Sequence, residues 1–400
     1  MTGTGGAGAG SVDHEMILER CRKLVPALAE RAAEGERLRR LPDATIADAH
    51  AADLFRTVLP TADGGHGLGL STLGHLTRIL SKGDASAGWT LSFLVLHNWL
   101  LQKFGPGTRG DLFGDGNPVL APAPLAPTGV AVPVDGGYRL GGRWEWATGV
   151  MHADWVMVHA IVQRDAAEPE LRYGVVPVGD VTIDDVWHTS GMRATGSNTV
   201  VLDDVFVPEH RTALSSVLRG APEQVTGDPD VDFAVYPTVP VLALVASSVA
   251  LGAAERVVEL FRERMAVRVL AYSMGDRQAD QPLAQSRLAS ALATVRSTRA
   301  MWEAALADVD RTCSSPAGPL PTDRAAARLA AAHTVRLSRE VIAQVCEGSG
   351  ASVYAEDSPL QRFQRDVEVL KGHVIFDWDR TTELVGRIEL GAEPRPTDLL

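Results

Sequence analysis

The order of residue patterns along the chain limits its fold more than any single motif does. From Asp13 to about Gly116 apolar residues recur at helical spacing, and from Pro118 to about Pro237 short runs rich in Val, Thr, Trp and Tyr alternate with turn residues. From Thr238 to near Ile388 the helical spacing returns. Three such blocks do not make the alternation of a parallel α/β fold, and no strand–GxGxxG–helix unit occurs in the sequence. The chain is therefore expected to be α+β, mainly α: a tail at 1–12, an N-terminal helical domain at 13–117, a central β domain at 118–237 and a C-terminal helical bundle at 238–400. Its 400 residues, 45% of them hydrophobic, are enough to bury a large core across these units.

Within the first block, Asp13 to Arg40 reads as an amphipathic helix, Leu41-Pro42-Asp43 starts a second with Pro42 in its first turn, Ser71 caps a third running to about Ser81, and Ala85 to Phe104 makes a fourth that is apolar on almost every side. In the second block Asp135-Gly136-Gly137 is a hairpin turn between Val130–Val134 and Tyr138–Leu140. Further strands are expected at Trp155–Val162, Tyr173–Pro177 and Val181–Trp187, with a mobile excursion from Arg219 to Asp232. The third block reads as four long helices. Its most apolar run, Val239 to Ala254, is interrupted by Ser247, Ser248 and Gly252, so it is expected to be a buried bundle helix. The opening MTGTGGAGAG lacks a basic start and an apolar stretch, so it reads as neither signal nor transit peptide.

A formal charge of −12, from 38 Lys and Arg against 50 Asp and Glu, disfavours nucleic acid or an anionic membrane as partner and leaves small neutral or aromatic ligands. Cys21, Cys313 and Cys346 are far apart and lack metal-ligand spacing. They are expected to be core thiols of a cytoplasmic protein, and no HExxH motif or Cys/His cluster points to a metal.

One stretch, Trp187 to Arg211, joins an aromatic strand end, a turn rich in hydroxyls (Met192-Arg193-Ala194-Thr195-Gly196-Ser197-Asn198-Thr199) and a β-branched strand closed by Pro208. These residues admit two readings: an ordinary solvated turn, or a wall of hydrogen-bond donors against a cofactor. Trp146-Ala147-Thr148-Gly149 follows the hairpin and is open to the same pair of readings, core strand or cofactor contact. His373 has Asp377 four residues on. If that stretch is helical the two share a face, and the carboxylate orients the imidazole and raises its pKa toward that of a base working near neutrality; a satisfied core histidine is the alternative.

The loop, together with Trp144–Gly149, Val95-Leu96-His97-Asn98-Trp99 and Leu360–Asp366 followed by His373, resembles the acyl-CoA dehydrogenase fold, and in particular its group D two-component flavin monooxygenases. The resemblance spans about Leu41 to Gly391. It implies a homotetramer with a β-barrel or sandwich as the central domain, and an oxygenase component that takes reduced FAD or FMN by diffusion from a separate NAD(P)H:flavin reductase. Such an enzyme uses dioxygen to hydroxylate an aromatic or polycyclic small molecule through a C4a-hydroperoxyflavin; separately, the Ala- and Arg-rich composition is associated with specialised (secondary) metabolism. Carried over residue by residue, it implies cofactor contacts at Trp146, Thr148, Gly149, Thr195, Gly196, Ser197, Arg268 and Gly350. It also implies a substrate pocket at His97 and Trp99, and catalysis by Thr148, His373 and Asp377. Family members often carry Ser where Thr148 stands; Thr keeps the hydroxyl and adds a methyl. The dehydrogenases of the fold often place a carboxylate base shortly after the Arg-Asp pair, here Arg365-Asp366, and this chain has His373-Val374 there. An N-oxygenase of an amine or amino sugar and an acyl-CoA dehydrogenase are the alternative activities on this fold; a non-enzymatic flavin carrier is a third.

Overall fold

The computed structural model describes residues 12–164, 169–220, 232–315, 317–395 and 397–400. The tail expected at 1–12 and the excursion expected between Arg219 and Asp232 fall almost wholly outside them, as 1–11 and 221–231. The chain begins with helix α1 (His14–Leu38), started by Asp13, whose carboxylate accepts the Met16 N–H at 2.9 Å, and ended by Arg39 in the left-handed conformation. Helices α2 (Asp43–Ala51), α3 (Leu70–Leu80), α4 (Ala85–Leu101) and α5 (Pro106–Phe113) follow. Two starts differ from the sequence reading. Gly69, not Ser71, precedes the first turn of α3, and Pro42 sits one residue outside α2 rather than in it. Asp84 caps α4 through the Ala87 N–H at 2.7 Å, and every residue of α4 except Phe93 is buried, as an all-apolar helix requires.

The middle of the chain forms one mixed sheet from β1 (Gly129–Val134), β2 (Gly137–Ala147), β3 (Trp155–Val162), β4 (Leu171–Pro177), β5 (Thr182–Asp184), β6 (Asn198–Pro208) and β7 (Thr212–Leu214). Their order is β5-β6-β2-β1-β3-β4-β7. Only β1 and β3 run parallel. The strand expected at Val181–Trp187 stops at Asp184, because the Asn198 side chain takes the next backbone donors, Val186 N and Trp187 N, at 3.1 and 3.0 Å. Trp144 anchors the sheet's own core, fully buried and donating from its indole to the His159 carbonyl at 2.7 Å.

After the short α6 (Ser215–Leu218) come α7 (Thr238–Val267), α8 (Pro282–Cys313), α9 (Pro321–Ser349), α10 (Pro359–Leu370) and α11 (Trp378–Glu389). The last block is thus three long helices and two short ones rather than four long, since turns at 350–358 and 371–377 cut its final third into pieces. Among the described residues α7 alone is long and apolar enough to cross a membrane, yet 89% of its most apolar window is buried within the fold. Trp302 of α8, fully buried, donates to the Leu244 carbonyl of α7 at 3.1 Å.

The N-terminal helices are joined to the bundle by charge as well as by packing. Arg78 of α3 reaches both oxygens of Glu255 on α7 at 2.9 and 2.6 Å with both side chains close to fully buried, and the Lys82 ammonium pairs with Glu259 one turn on. Removing one member of such a pair leaves a charge without water or partner. Arg78→Met should therefore lower the unfolding free energy by about 3 kcal/mol, and Arg78→Met with Glu255→Leu should recover most of it. Chemical denaturation followed by circular dichroism reads both, and a single variant as stable as the parent would show that the pair does not hold the joint.

Candidate active site

The site is built where the end of β2 meets the loop before β6. The register of β2 on β6 slips between Trp144 and Ala147, and Trp146 inside this bulge takes φ 65. A left-handed tryptophan costs about 1–2 kcal/mol and persists only where its surroundings impose it. The consequence is visible two residues apart: Trp144 is fully buried and Trp146 is 64% exposed. Gly149, at φ 75, gives its N–H to the Thr195 carbonyl at 2.9 Å. A side chain there would start 3.0 Å from the Thr90 methyl of α4. The turn is thereby held between α4 and the hydroxyl-rich loop, where Met192 and Gly196, both at φ 52, flank a single 3-10 turn.

This arrangement brings Thr148, Thr195 and Ser197 into one line. The Trp89 indole of α4 donates to Thr148 Oγ1 at 3.2 Å, Thr148 and Ser197 hydroxyls are 2.9 Å apart, Ser197 and Thr195 hydroxyls 2.7 Å, and Thr195 donates to the Met192 carbonyl at 2.9 Å. Both ends fix the direction. An indole only donates, a carbonyl only accepts, and each hydroxyl has one hydrogen. All four contacts can be hydrogen bonds only if Trp89 donates to Thr148, Thr148 to Ser197, Ser197 to Thr195 and Thr195 to Met192. Thr148 therefore has a lone pair, and no hydrogen, left for a ligand.

A row of rings extends from the same place. Trp89, Phe93 and His97 follow one another at i, i+4 and i+8 on α4, with centroids 4.5 Å apart for the first pair and 5.6 Å for the second, and His373 lies 5.7 Å from Trp89. Trp89 and Phe93 were not singled out from the sequence, although their spacing puts them on one helix face. His97 is buried. Its Nδ1 donates to the Ala121 carbonyl at 2.7 Å, and burial draws its pKa down to about 4. Trp99, expected beside His97, lies 200° further round the helix at 100° per residue. It stacks on Phe233 at 4.9 Å and donates to that residue's carbonyl at 2.6 Å, so it is core and not part of this wall.

The expected partnership of His373 with Asp377 does not form. The stretch is a 3-10 turn, Val374–Phe376, which ends before Asp377, so the two side chains do not stack along a helix. Asp377 caps α11 through the Arg380 N–H at 3.0 Å, while His373 Nδ1 accepts the Ile375 N–H at 3.3 Å. His373 is exposed on one face, yet desolvation by the protein around its ring, and then the positive charge of Arg328, pull its pKa down to about 4 rather than up. The imidazole is neutral near pH 7, and with Nδ1 accepting, its hydrogen is on Nε2.

Arg268 and Gly350 are brought together elsewhere, at the end of α7. Gly350 lies against the Arg268 guanidinium, which also donates to Gln278 at 3.3 Å, and Gln278 in turn donates to the Gly348 carbonyl at 2.9 Å. Among the described residues no hydrogen bond links this cluster to the hydroxyl line, and no group of three or more His, Cys, Asp or Glu could hold a metal ion.

The chain matches the family models for the acyl-CoA dehydrogenase N-terminal domain over residues 11–108 and C-terminal domain over 244–378. It is 33% identical to a pigment production hydroxylase of Rhodococcus sp. (strain ATCC 21145), covering 94% of this chain and 96% of that protein. It is 32% identical to the flavin-dependent monooxygenase oxygenase subunit HsaA of Rhodococcus jostii (strain RHA1), covering 94% and 98%. Among solved structures it is similar to XiaF from Streptomyces sp. in complex with FADH2 and glycerol, with a TM-score of 0.89, 31% identity, and 95% and 96% of the two chains covered.

The depressed His97 pKa sets a pH dependence. The unfolded chain takes up this proton near pH 6.5 and the folded one only near 4, so the stability is complete above pH 6.5 and is lost as pH falls toward 4. His97→Asn keeps a donor for the Ala121 carbonyl and cannot titrate. Between pH 7.5 and 5 it should lose about 2 kcal/mol less than the parent, measured by denaturant unfolding at both values; an equal loss would mean that His97 ionises freely in the fold.

Proposed function

Because the chain belongs to the flavin-dependent monooxygenase oxygenase components of the acyl-CoA dehydrogenase fold, we propose that it hydroxylates an aromatic small molecule with dioxygen and reduced FAD, or FMN, delivered by a separate NAD(P)H:flavin reductase. The observation that carries this reading is the one-way hydroxyl line. It leaves Thr148 as an acceptor at the end of a rigid strand, beside an exposed, backbone-strained Trp146 and two left-handed glycines that let backbone approach a ring closely. A reduced isoalloxazine has an N–H at its reactive edge, so the residues present fit it. When bound, reduced flavin would supply two electrons to dioxygen, one atom of which is transferred to substrate while the other leaves as water.

The rest is the work of this chain's own groups. Thr148 accepts the edge N–H and holds that proton in place, with Ser197 and Thr195 behind it to keep the hydroxyl from turning. Trp146, Trp89 and Phe93 exclude water from the reacting edge, which favours transfer to substrate over release of peroxide. His373, neutral with its hydrogen on Nε2, donates a hydrogen bond to the oxygen of a phenolic substrate and stabilises negative charge there; it is a donor at neutral pH and not a strong base. Arg268 and Gly350 contribute to the cofactor site of a neighbouring subunit.

The assembly we propose is a homotetramer. At the end of α7 a short excursion closed by the Val269–Arg277 bridge presents Val267, Tyr272, Met274 and, on α8, Leu283, all strongly exposed in the single chain. A second copy of the chain covers such a surface. The working compartment is the cytoplasm.

Two measurements test these readings. Mixing the protein and reduced FAD rapidly with oxygenated buffer should give an absorbing species, distinct from reduced and oxidised flavin, that outlasts reoxidation of free flavin. Thr148→Val should shorten its life about tenfold, as expected for loss of one hydrogen bond of ~1.4 kcal/mol, and reoxidation at the free-flavin rate in the parent would remove the proposal. Sedimentation should report four copies of the 42.6 kDa chain. Tyr272→Lys with Met274→Lys should give smaller particles, and an unchanged particle would place the interface elsewhere.

A further inference from the structure

The hydroxyl line ends on the carbonyl of Met192, and the peptide that carries it is held from behind. Met192 is left-handed, and its carbonyl accepts from both the Trp187 indole and Thr195 at 2.9 Å. Its N–H goes across 174 positions of sequence to Asp366 Oδ1 on α10, at 2.5 Å. The neighbouring Gly191 lies flat on α10, so close that a Cβ would sit 2.2 Å from the Arg365 carbonyl oxygen. Arg365 donates to the Ser190 carbonyl at 2.6 Å. Asp366 is 1% exposed, and its second oxygen is buried with no hydrogen-bond partner among the described residues.

We propose that Asp366 is a positioning residue for the oxygenase reaction, whose carboxyl holds the Met192 peptide and so fixes the acceptor end of the hydroxyl line behind Thr148. The surroundings favour its neutral acid form over the carboxylate. Facing Asp366 are Glu36 of α1, Asp84 at the start of α4 and Arg365 of α10, while Arg362 lies near Glu36 and Asp84, and Arg193 on the loop donates to the Glu36 backbone carbonyl. Glu36 is engaged by both α10 arginines, at 3.1 and 2.8 Å. Three carboxyls, those of Glu36, Asp84 and Asp366, share this interior, and both α10 guanidiniums are taken up by Glu36. Burial, then the nearby Asp84, holds the Asp366 carboxyl well above the usual carboxylate range, and burial lifts Asp84 to about 6. As the acid, Asp366 still offers Oδ1 to the Met192 N–H.

The inference rests on the oxygenase reading for its consequence in catalysis, but not for its main test. Hydrogen exchange of the protein without flavin reads the loop directly. Asp366→Ala should speed exchange over residues 187–198 at least about tenfold, the loss of one buried hydrogen bond, while Asp366→Asn, which keeps the acceptor and the neutral charge, should retain the protection. An Asn variant as unprotected as the Ala variant, or an Ala variant as protected as the parent, overturns the proposal.

Stability against pH is the second test, and needs only the Asn variant should Asp366→Ala fail to fold. An acid with a raised folded pKa contributes stability below its unfolded pKa and loses it as pH rises. The melting temperature of Asp366→Asn should therefore gain on the parent as pH rises above the unfolded carboxylate value of about 4; a constant or shrinking difference would mean that Asp366 is ionised in the fold. During turnover, peroxide released per substrate hydroxylated should rise in Asp366→Ala and return toward the parent in Asp366→Asn. A parent that oxygenates nothing would remove the reaction without touching the exchange result, and an unmoved exchange result would remove Asp366 without touching the reaction.

Discussion

A hydroxyl group has one hydrogen to give, and the arrangement of this site follows from that count. Trp89 can only donate and the Met192 carbonyl can only accept, so the three hydroxyls between them have no freedom in how they point. A single threonine on a strand end would rotate among water, backbone and ligand. Here the backbone devices around it, the bulge at Trp146 and the left-handed residues Met192, Gly149 and Gly196, all serve to bring each of the three side chains within 2.9 Å of the next. Strained conformations are tolerated where the surrounding structure over-determines them, and this line is what they are arranged around.

The line needs three parts of the chain at once: α4 for Trp89, the sheet for Thr148 and Ser197, and α10 for the peptide behind Met192. Buried charge ties together helices around those parts. Arg78 with Glu255 ties α3 to α7, and Arg362 and Arg365 with Glu36 tie α10 to α1. Buried pairs of this kind contribute little net stability compared with apolar residues of the same size, yet a displaced partner is costly. They therefore penalise any sliding of one element along another more than they strengthen the fold, which suits a site whose geometry depends on their relative placement.

How much of this was legible in the sequence depends on distance along the chain. The succession of helical, β and helical blocks follows from local patterns, and the apolar girth of α4 and the hairpin at Asp135-Gly136 are written in neighbouring residues. The pairing of Thr148 with the loop at Thr195–Ser197 was reached through family resemblance, since nothing local links positions 49 apart. Trp89 and Phe93 could have been found from their spacing with His97, but an all-buried helix hides one aromatic face among many apolar residues. The His373–Asp377 reading failed because it assumed a continuous helix where the chain makes one tight turn. Asp366 was visible only as a landmark, because its partner is a backbone N–H, which no residue type announces.

The failure at His373 changes the chemistry the site can do. A histidine paired with a carboxylate would hold its proton more tightly and serve as a base near neutrality. An imidazole desolvated near Arg328, with no carboxylate hydrogen-bonded to it among the described residues, resists gaining a proton, so it is a poor base toward a phenol, whose phenolate holds that proton far more tightly. What it can do is donate from Nε2 to an oxygen that is gaining negative charge, and that interaction strengthens as the ring oxygen becomes phenolate-like. In the proposed reaction proton removal then falls to solvent or to the reacting oxygen itself, and the protein's part at both ends of the pocket would be the same: Thr148 and His373 would each present one fixed polar atom, an acceptor at one end and a donor at the other, to groups whose charge changes as oxygen is transferred.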